Sequence, residues 1–221
     1  MIVMKFGGTS VGNPESIRNV CRLIEKNIAR RPAVVVSAVS GVTDMLLRLA
    51  GTAAATGAEI TQIRNKHQQI ISDLALDKHL LDQVYEHLLK DLAFIAESLR
   101  LTKRMQDKIA SYGEKLSVRL VSACLDSMGL KSRFFESPDI GFVTDEHFTE
   151  AEILPETYSL IPSKFRCDDA IPVVTGFIGR TIDGDITTLG RSGSDYTAAI
   201  LGSALGAEEI QIWTDVSGVK T

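Results

Sequence analysis

The sequence predicts a three-layer α/β/α sandwich on a mainly parallel sheet, and two observations carry that expectation. Runs rich in Val and Ile, at 2–6, 33–38, 132–135, 171–175 and 209–214, have the length of strands, and helical periodicity fills most of the gaps between them. Strands that alternate with helices need crossover connections, so neighbouring strands run parallel and helices cover both faces of the sheet. The run Val34-Val35-Val36 has no polar face, as a strand covered on both sides requires. With 221 residues, 44% of them hydrophobic, the chain has ample material for one buried core.

The first strand runs into Lys5-Phe6-Gly7-Gly8-Thr9-Ser10. Gly7 and Gly8 let the backbone turn sharply and turn its N–H groups on an anion, and Lys5 adds a full positive charge, so this is a candidate phosphate site. Asn13 is placed to cap a helix whose first residue is Pro14, and that helix N-terminus is expected to lend its partial positive charge to the same region. The spacing is neither of the two common nucleotide fingerprints. After the second strand comes the turn Ser37-Ala38-Val39-Ser40-Gly41-Val42-Thr43.

Between about 58 and 128 the strand pattern disappears. Ile60, Ile63, His67, Ile70 and Leu74 share one helical face, Leu81 to Leu99 a second, and Ile109, Leu116, Leu120 and Cys124 a third. A helical subdomain inserted into the α/β scaffold is therefore expected. Two short strands at 176–180 and 186–189 flank Asp183-Gly184, a hairpin turn signal. A second glycine-bearing stretch, Gly190-Arg191-Ser192-Gly193-Ser194-Asp195, precedes a helical pattern over 196–205. Two such turns at the carboxyl ends of strands can face one cleft, where open α/β sheets bind ligands. By residue type alone, Arg191 is a fork suited to a carboxylate or a surface ion-pair residue, Asp195 a helix cap and Glu114 a helix-surface carboxylate. Thr214 and Asp215 are a strand end and a turn residue.

A formal charge of −4, with Arg30-Arg31 as the densest basic cluster, argues against nucleic-acid or anionic-membrane partners. Cys21, Cys124 and Cys167 are odd in number and unpaired in spacing, which suits buried thiols in a reducing compartment. With no targeting pattern at the start and no apolar run long enough to span a bilayer, a cytoplasmic location is expected. His67 lies on an apolar stripe with no second ligand at metal spacing, so it is expected to be packed, and no resident metal site is expected. His79, His87 and His147 stand alone as surface residues.

Three stretches in order, K-F-G-G-T-S at 5–10, T-L-G-R-S-G-S-D-Y-T-A-A at 188–199 and I-W-T-D-V at 212–216, closely resemble the aspartate kinases of the amino-acid kinase superfamily. The resemblance implies phosphorylation of the β-carboxylate of L-aspartate by ATP, with Mg²⁺ as part of the ATP substrate complex. It implies that Lys5 and Asp195 are catalytic, Asp195 orienting Lys5. It further implies that Lys5, Phe6, Gly7, Gly8, Thr9, Ser10, Thr214 and Asp215 lie along the nucleotide. Thr43, Glu114, Arg191, Ser192, Gly193 and Ser194 would hold aspartate, Glu114 by its ammonium group, with Gly113 leaving room for the approach. A homodimer or higher oligomer of the full-length enzyme is implied as well.

The resemblance covers essentially the whole chain, whereas the chain covers only part of the family's pattern. The family continues with strands and helices that complete the nucleotide pocket and then with regulatory domains. Residues 1–221 are therefore expected to be an incomplete catalytic domain, with little activity by themselves. Lys220 stands where the family commonly has a tyrosine. A kinase for another small amino acid or for carbamate, and a non-catalytic module that binds nucleotide or amino acid, are the alternatives.

Overall fold

The computed structural model describes residues 1–51, 57–98, 100–166 and 169–214. In chain order the elements are β1 (Ile2–Phe6), α1 (Pro14–Lys26), β2 (Pro32–Val36), α2 (Val42–Gly51), α3 (Gly57–Asp73), α4 (Asp82–Ser98), α5 (Lys103–Ala110), α6 (Tyr112–Ser127) and β3 (Ser132–Phe135). They continue with α7 (Thr157–Lys164), β4 (Ile171–Thr175), β5 (Ile178–Arg180), β6 (Ile186–Thr188), α8 (Gly193–Ala204) and β7 (Glu209–Trp213). Five strands form one sheet in the order β3-β4-β2-β1-β7, every neighbouring pair parallel, while β5 and β6 make a separate antiparallel hairpin. The expected layered α/β fold is what the chain adopts.

Strand alternation divides the core into two. On one face Ile2, Met4, Phe6, Val34, Val36 and Val173 join the apolar sides of α1 to α6 in a single cluster. On the other, Val3, Ala33, Val35 and Val174 pack on Ile161 of α7 and Ala198, Ile200 and Leu201 of α8. Because successive side chains alternate, Lys5 shares the face of Val3 and so meets α8, not the larger helical layer. A cation placed one residue earlier or later would be buried among aliphatic side chains.

Local chemistry accounts for the element ends. Asn13 Oδ1 accepts the Ser16 N–H at 2.9 Å and Pro14 opens α1, as expected. Gly184 takes φ +94° in the turn between β5 and β6. The second strand ends at Val36, two residues short of expectation, because the Ala38 N–H bonds to a side chain, Glu114 Oε1, instead of continuing the ladder. The third expected helical face is broken at Ser111 into α5 and α6. The helices over 57–127 do not form a core of their own; their apolar residues are continuous with those of the sheet. Among the described residues no helix is long and apolar enough to cross a membrane.

His67 is fully buried, its Nδ1 2.8 Å from the Ile63 carbonyl and 3.0 Å from the Tyr85 hydroxyl. Burial lowers its pKa to about 4, so it packs as a neutral ring. His79, His87 and His147 are exposed. Cys21 and Cys124 are buried and free, and Cys167 lies outside the described residues.

Candidate active site

At the carboxyl ends of β1 and β2 the chain makes two turns that must fit against each other. Gly8 accepts the Ser40 N–H on its carbonyl at 3.1 Å, and the Ser37 N–H bonds to the Phe6 carbonyl at 3.1 Å. A Cβ on Gly8 would stand 2.8 Å from the Ala38 carbonyl oxygen, so glycine is what permits the contact. The second turn is held from behind as well. Ser117 Oγ donates to the Ser37 carbonyl at 2.5 Å, and Lys66 Nζ donates to the Ser40 carbonyl at 2.6 Å.

These turns and the Gly190–Asp195 stretch enclose one open cavity of about 460 Å³. Lys5, Gly8, Thr9, Thr43, Glu114, Ser192, Gly193, Ser194 and Asp195 all line it, so the two glycine turns, far apart in sequence, do share a cleft. The helices that open onto it are α2, through Thr43 and Asp44, and α8, through Gly193, Ser194 and Asp195. The first residues of α1 do not line it, contrary to expectation: the Thr9–Gly12 turn, closed by the Gly12 N–H on the Thr9 carbonyl, intervenes. Partial positive charge at the cavity therefore comes from α2 and α8.

Lys5 is only 8% exposed, and its Nζ lies 2.6 Å from Asp195 Oδ1. Asp195 does not cap α8. The helix starts two residues earlier, at Gly193, after Ser192 in a left-handed conformation (φ +59°), which leaves Asp195 in the first turn and facing β1. An early start through a glycine escapes helix propensity because the site demands it: a Cβ on Gly193 would come within 2.8 Å of the Phe177 ring.

Glu114 is the least ordinary residue of the site. It is 3% exposed; one carboxylate oxygen accepts the Ala38 N–H at 3.2 Å, and the other is buried with no hydrogen-bond partner among the described residues. Burial pushes its pKa up to about 8, partly offset by the Ala38 N–H. A carboxylate left this way at a cavity wall is half of an interaction, and a cation is the group that would complete it. Gly113 serves a packing purpose that was not expected. A Cβ there would lie 2.7 Å from Ala38 Cβ and 3.3 Å from Thr43 Oγ1, so its bareness lets α6 close on the turn that carries those residues. Gly113→Ala should accordingly destabilise the fold by about 1–3 kcal/mol in urea denaturation, the cost of overpacking; an unchanged midpoint would show that the turn can yield.

Not every expected residue reaches the cavity. Arg191 is exposed at the rim, between the lining residues Gly190 and Ser192, and has no hydrogen-bond or ion-pair partner among the described residues. The Phe6 side chain is in the core, stacked on Trp213 with ring centroids 6.1 Å apart. Gly7 touches the neighbouring strand, its N–H 3.4 Å from the Trp213 carbonyl. Ser10 is half-buried beyond the lining residue Thr9, and Thr214 is exposed just past β7. Asp215 and Lys220 lie outside the described residues. Phe177 lines the cavity without having been anticipated. Its one recognisable feature, a positive φ of +66° on an aromatic residue, is invisible in sequence.

The sequence model of the Amino acid kinase family matches residues 1–221. Aspartokinase 1, chloroplastic, of Arabidopsis thaliana is 38% identical over 231 residues, covering 99% of this chain and 41% of that protein. Among solved structures, aspartokinase III of E. coli in complex with aspartate and ADP superposes with a TM-score of 0.88 at 29% identity. The match covers 99% of this chain and 50% of that one. The same enzyme in complex with lysine and aspartate gives a TM-score of 0.90 at 30% identity with the same coverage. The chain thus spans half or less of the length of these relatives.

Proposed function

The chain belongs to the amino acid kinase family, and on that premise we propose that it carries the phosphoryl-holding and aspartate-holding groups of an aspartate kinase. The reaction transfers the γ-phosphoryl group of ATP, taken as its Mg²⁺ complex, to the β-carboxylate of L-aspartate. Its product, 4-phospho-L-aspartate, is by the family resemblance the first intermediate toward lysine, threonine and methionine. The observation that carries this reading is the buried, half-partnered carboxylate of Glu114 in the same cavity as the Lys5–Asp195 pair. A cavity that offers a cation holder and an anion holder side by side suits a substrate carrying both charges.

A carboxylate nucleophile is already ionised at neutral pH, so no general base is needed. The site then has to orient two anions and stabilise the charge that develops between them. Lys5, fixed in direction by Asp195, and the backbone of Gly7 and Gly8 would neutralise the transferring phosphoryl group, with Phe6, Thr9, Ser10, Thr214 and Asp215 along the nucleotide. Glu114 would take the substrate ammonium and Thr43, Ser192, Gly193 and Ser194 would border the amino acid. Arg191, exposed at the rim, would close on the α-carboxylate. A reducing compartment such as the cytoplasm belongs to the same reading, as do further domains and a homodimer or higher oligomer of the whole enzyme.

Trapping the acyl phosphate with hydroxylamine tests the assignment. A protein of the relatives' full length should form hydroxamate from L-aspartate and ATP, and form it far more slowly from L-glutamate, N-acetylglutamate or carbamate. Preference for any of these over L-aspartate overturns it.

A further inference from the structure

We propose that Asp107 is a positioning residue that, from outside the cavity, fixes the Gly190–Ser194 turn relative to Glu114. For its effect on a ligand the proposal rests on the aspartate-binding reading. Asp107, on α5, is 1% exposed and has no ion-pair partner among the described residues. A buried carboxylate without a cation is costly unless hydrogen bonds satisfy it. Here three do. Its Oδ2 accepts the Thr149 N–H at 2.8 Å and the Thr188 N–H at 2.9 Å, and its Oδ1 accepts the Thr188 hydroxyl at 2.7 Å.

Both partners adjoin the glycine turn. Thr188 ends β6 two residues before Gly190, and its carbonyl accepts the Ala151 N–H at 2.9 Å. Thr149 sits at φ +78°, a conformation unfavourable for a β-branched residue, and the bond to Asp107 is one that holds it there. Gly190, itself at φ +69°, backs onto that segment: a Cβ on it would be 3.4 Å from the Thr149 carbonyl oxygen. Asp107 therefore grips the start of the turn directly through Thr188 and braces it from behind through Thr149.

The other end of the linkage is equally short. The Asp107 carbonyl accepts the Ser111 N–H at 3.0 Å, and the Ser111 carbonyl accepts the Lys115 N–H at 3.2 Å, so α5 passes almost without slack into the first turn of α6, where Glu114 lies. One side chain thus ties the wall that holds Glu114 to the wall that holds Ser192, Gly193 and Ser194. An apolar residue would fill the space and leave two backbone N–H groups without their acceptor.

The test uses the full chain and two readouts: hydrogen–deuterium exchange of residues 186–195, and the L-aspartate dissociation constant by calorimetry. Asp107→Ala should speed exchange in that segment, leave β1 and β2 as protected as before, and weaken L-aspartate by about tenfold, since a displacement near 1 Å in a positioned group has effects of this order or larger. Asp107→Asn keeps an oxygen for both N–H groups and can donate to the Thr188 hydroxyl, so it should restore both readouts to near wild type. Thr188→Val removes a single bond and should give a smaller change in the same segment; it carries the test if Asp107→Ala does not fold. Wild-type exchange at 186–195 in Asp107→Ala and Thr188→Val, or faster exchange spread evenly over the sheet, overturns the proposal. If the unmodified chain binds no L-aspartate, the substrate reading falls, while the exchange pattern still decides the role of Asp107.

Discussion

Lys5→Ala, in a protein of the relatives' full length, is expected to lower kcat by about a hundred- to a thousandfold, the size seen when one donor to a developing oxyanion is removed, while the KM for L-aspartate changes little. Lys5 is aimed by a 2.6 Å contact with Asp195 and shielded from water, so its charge acts where the dielectric is low and is already in place when the phosphoryl group moves. The interaction gained is larger in the transition state than in the ground state, and such interactions appear in kcat. Asp195→Asn should act in the same direction with a smaller effect, because it leaves the lysine charged and only loosens its aim. A Lys5→Ala enzyme with lower thermal stability but unchanged kcat would reduce the pair to a structural ion bridge.

Glu114→Gln should weaken L-aspartate on the order of a hundredfold, the scale for deleting one charge of a buried pair, and should also change how stability depends on pH. The native carboxyl group holds its proton up to about pH 8, whereas a free one releases it near 4.5. Between those values the folded chain binds more protons than the unfolded one, so stability falls as pH rises, by at most about 1.4 kcal/mol per pH unit for one group. His67 acts in the opposite sense. Its pKa falls from 6.5 to about 4 on burial, so stability is lost as pH drops through that window. The two oppose each other from 4.5 to 6.5; above 6.5 Glu114 acts in the same sense as exposed His147, whose pKa the Asp145 carboxylate raises, and Glu114 is the buried one of the two. Thermal melts of the unliganded chain should therefore decline from pH 6.5 to 8, and Glu114→Gln should make that decline much shallower. Binding an ammonium group requires the ionised form, so L-aspartate binding near pH 7 should release most of one proton into the buffer, measurable by calorimetry in buffers of different ionisation enthalpy. Equal melting profiles for the two proteins, together with no proton release, would remove Glu114 from the role given to it.

What could be read in the sequence was local, and what could not was created by contacts between distant segments. The strands β1, β3 and β4 declare themselves by short Val/Ile-rich or aromatic runs, and the hairpin by Asp183-Gly184, because strand propensity and turn chemistry act over a few residues. Lys5 and the two glycine turns were legible for the same reason: small residues after a strand have few other uses. Glu114 was not. Its composition is that of a solvated helix carboxylate, and only the fold brings it to Ala38, 76 residues away, and seals it from water. Asp107 meets Thr188 across 81 residues and gave no sign at all. The packing use of Gly113 was missed because the neighbour that requires it is another segment's methyl group.

The tight seating of Gly8 and Gly113 on the Ala38 turn bears on how such a cavity could be retuned. At that wall its shape is set by main chain in contact with main chain or with a single methyl, so that wall offers few side chains to trim or enlarge for a differently shaped amino acid. Selectivity of this kind is rigid under point mutation and open to change mainly by moving whole segments. An engineer seeking a new substrate would do better to vary the length or anchoring of the 37–41 turn than to randomise the residues that surround it.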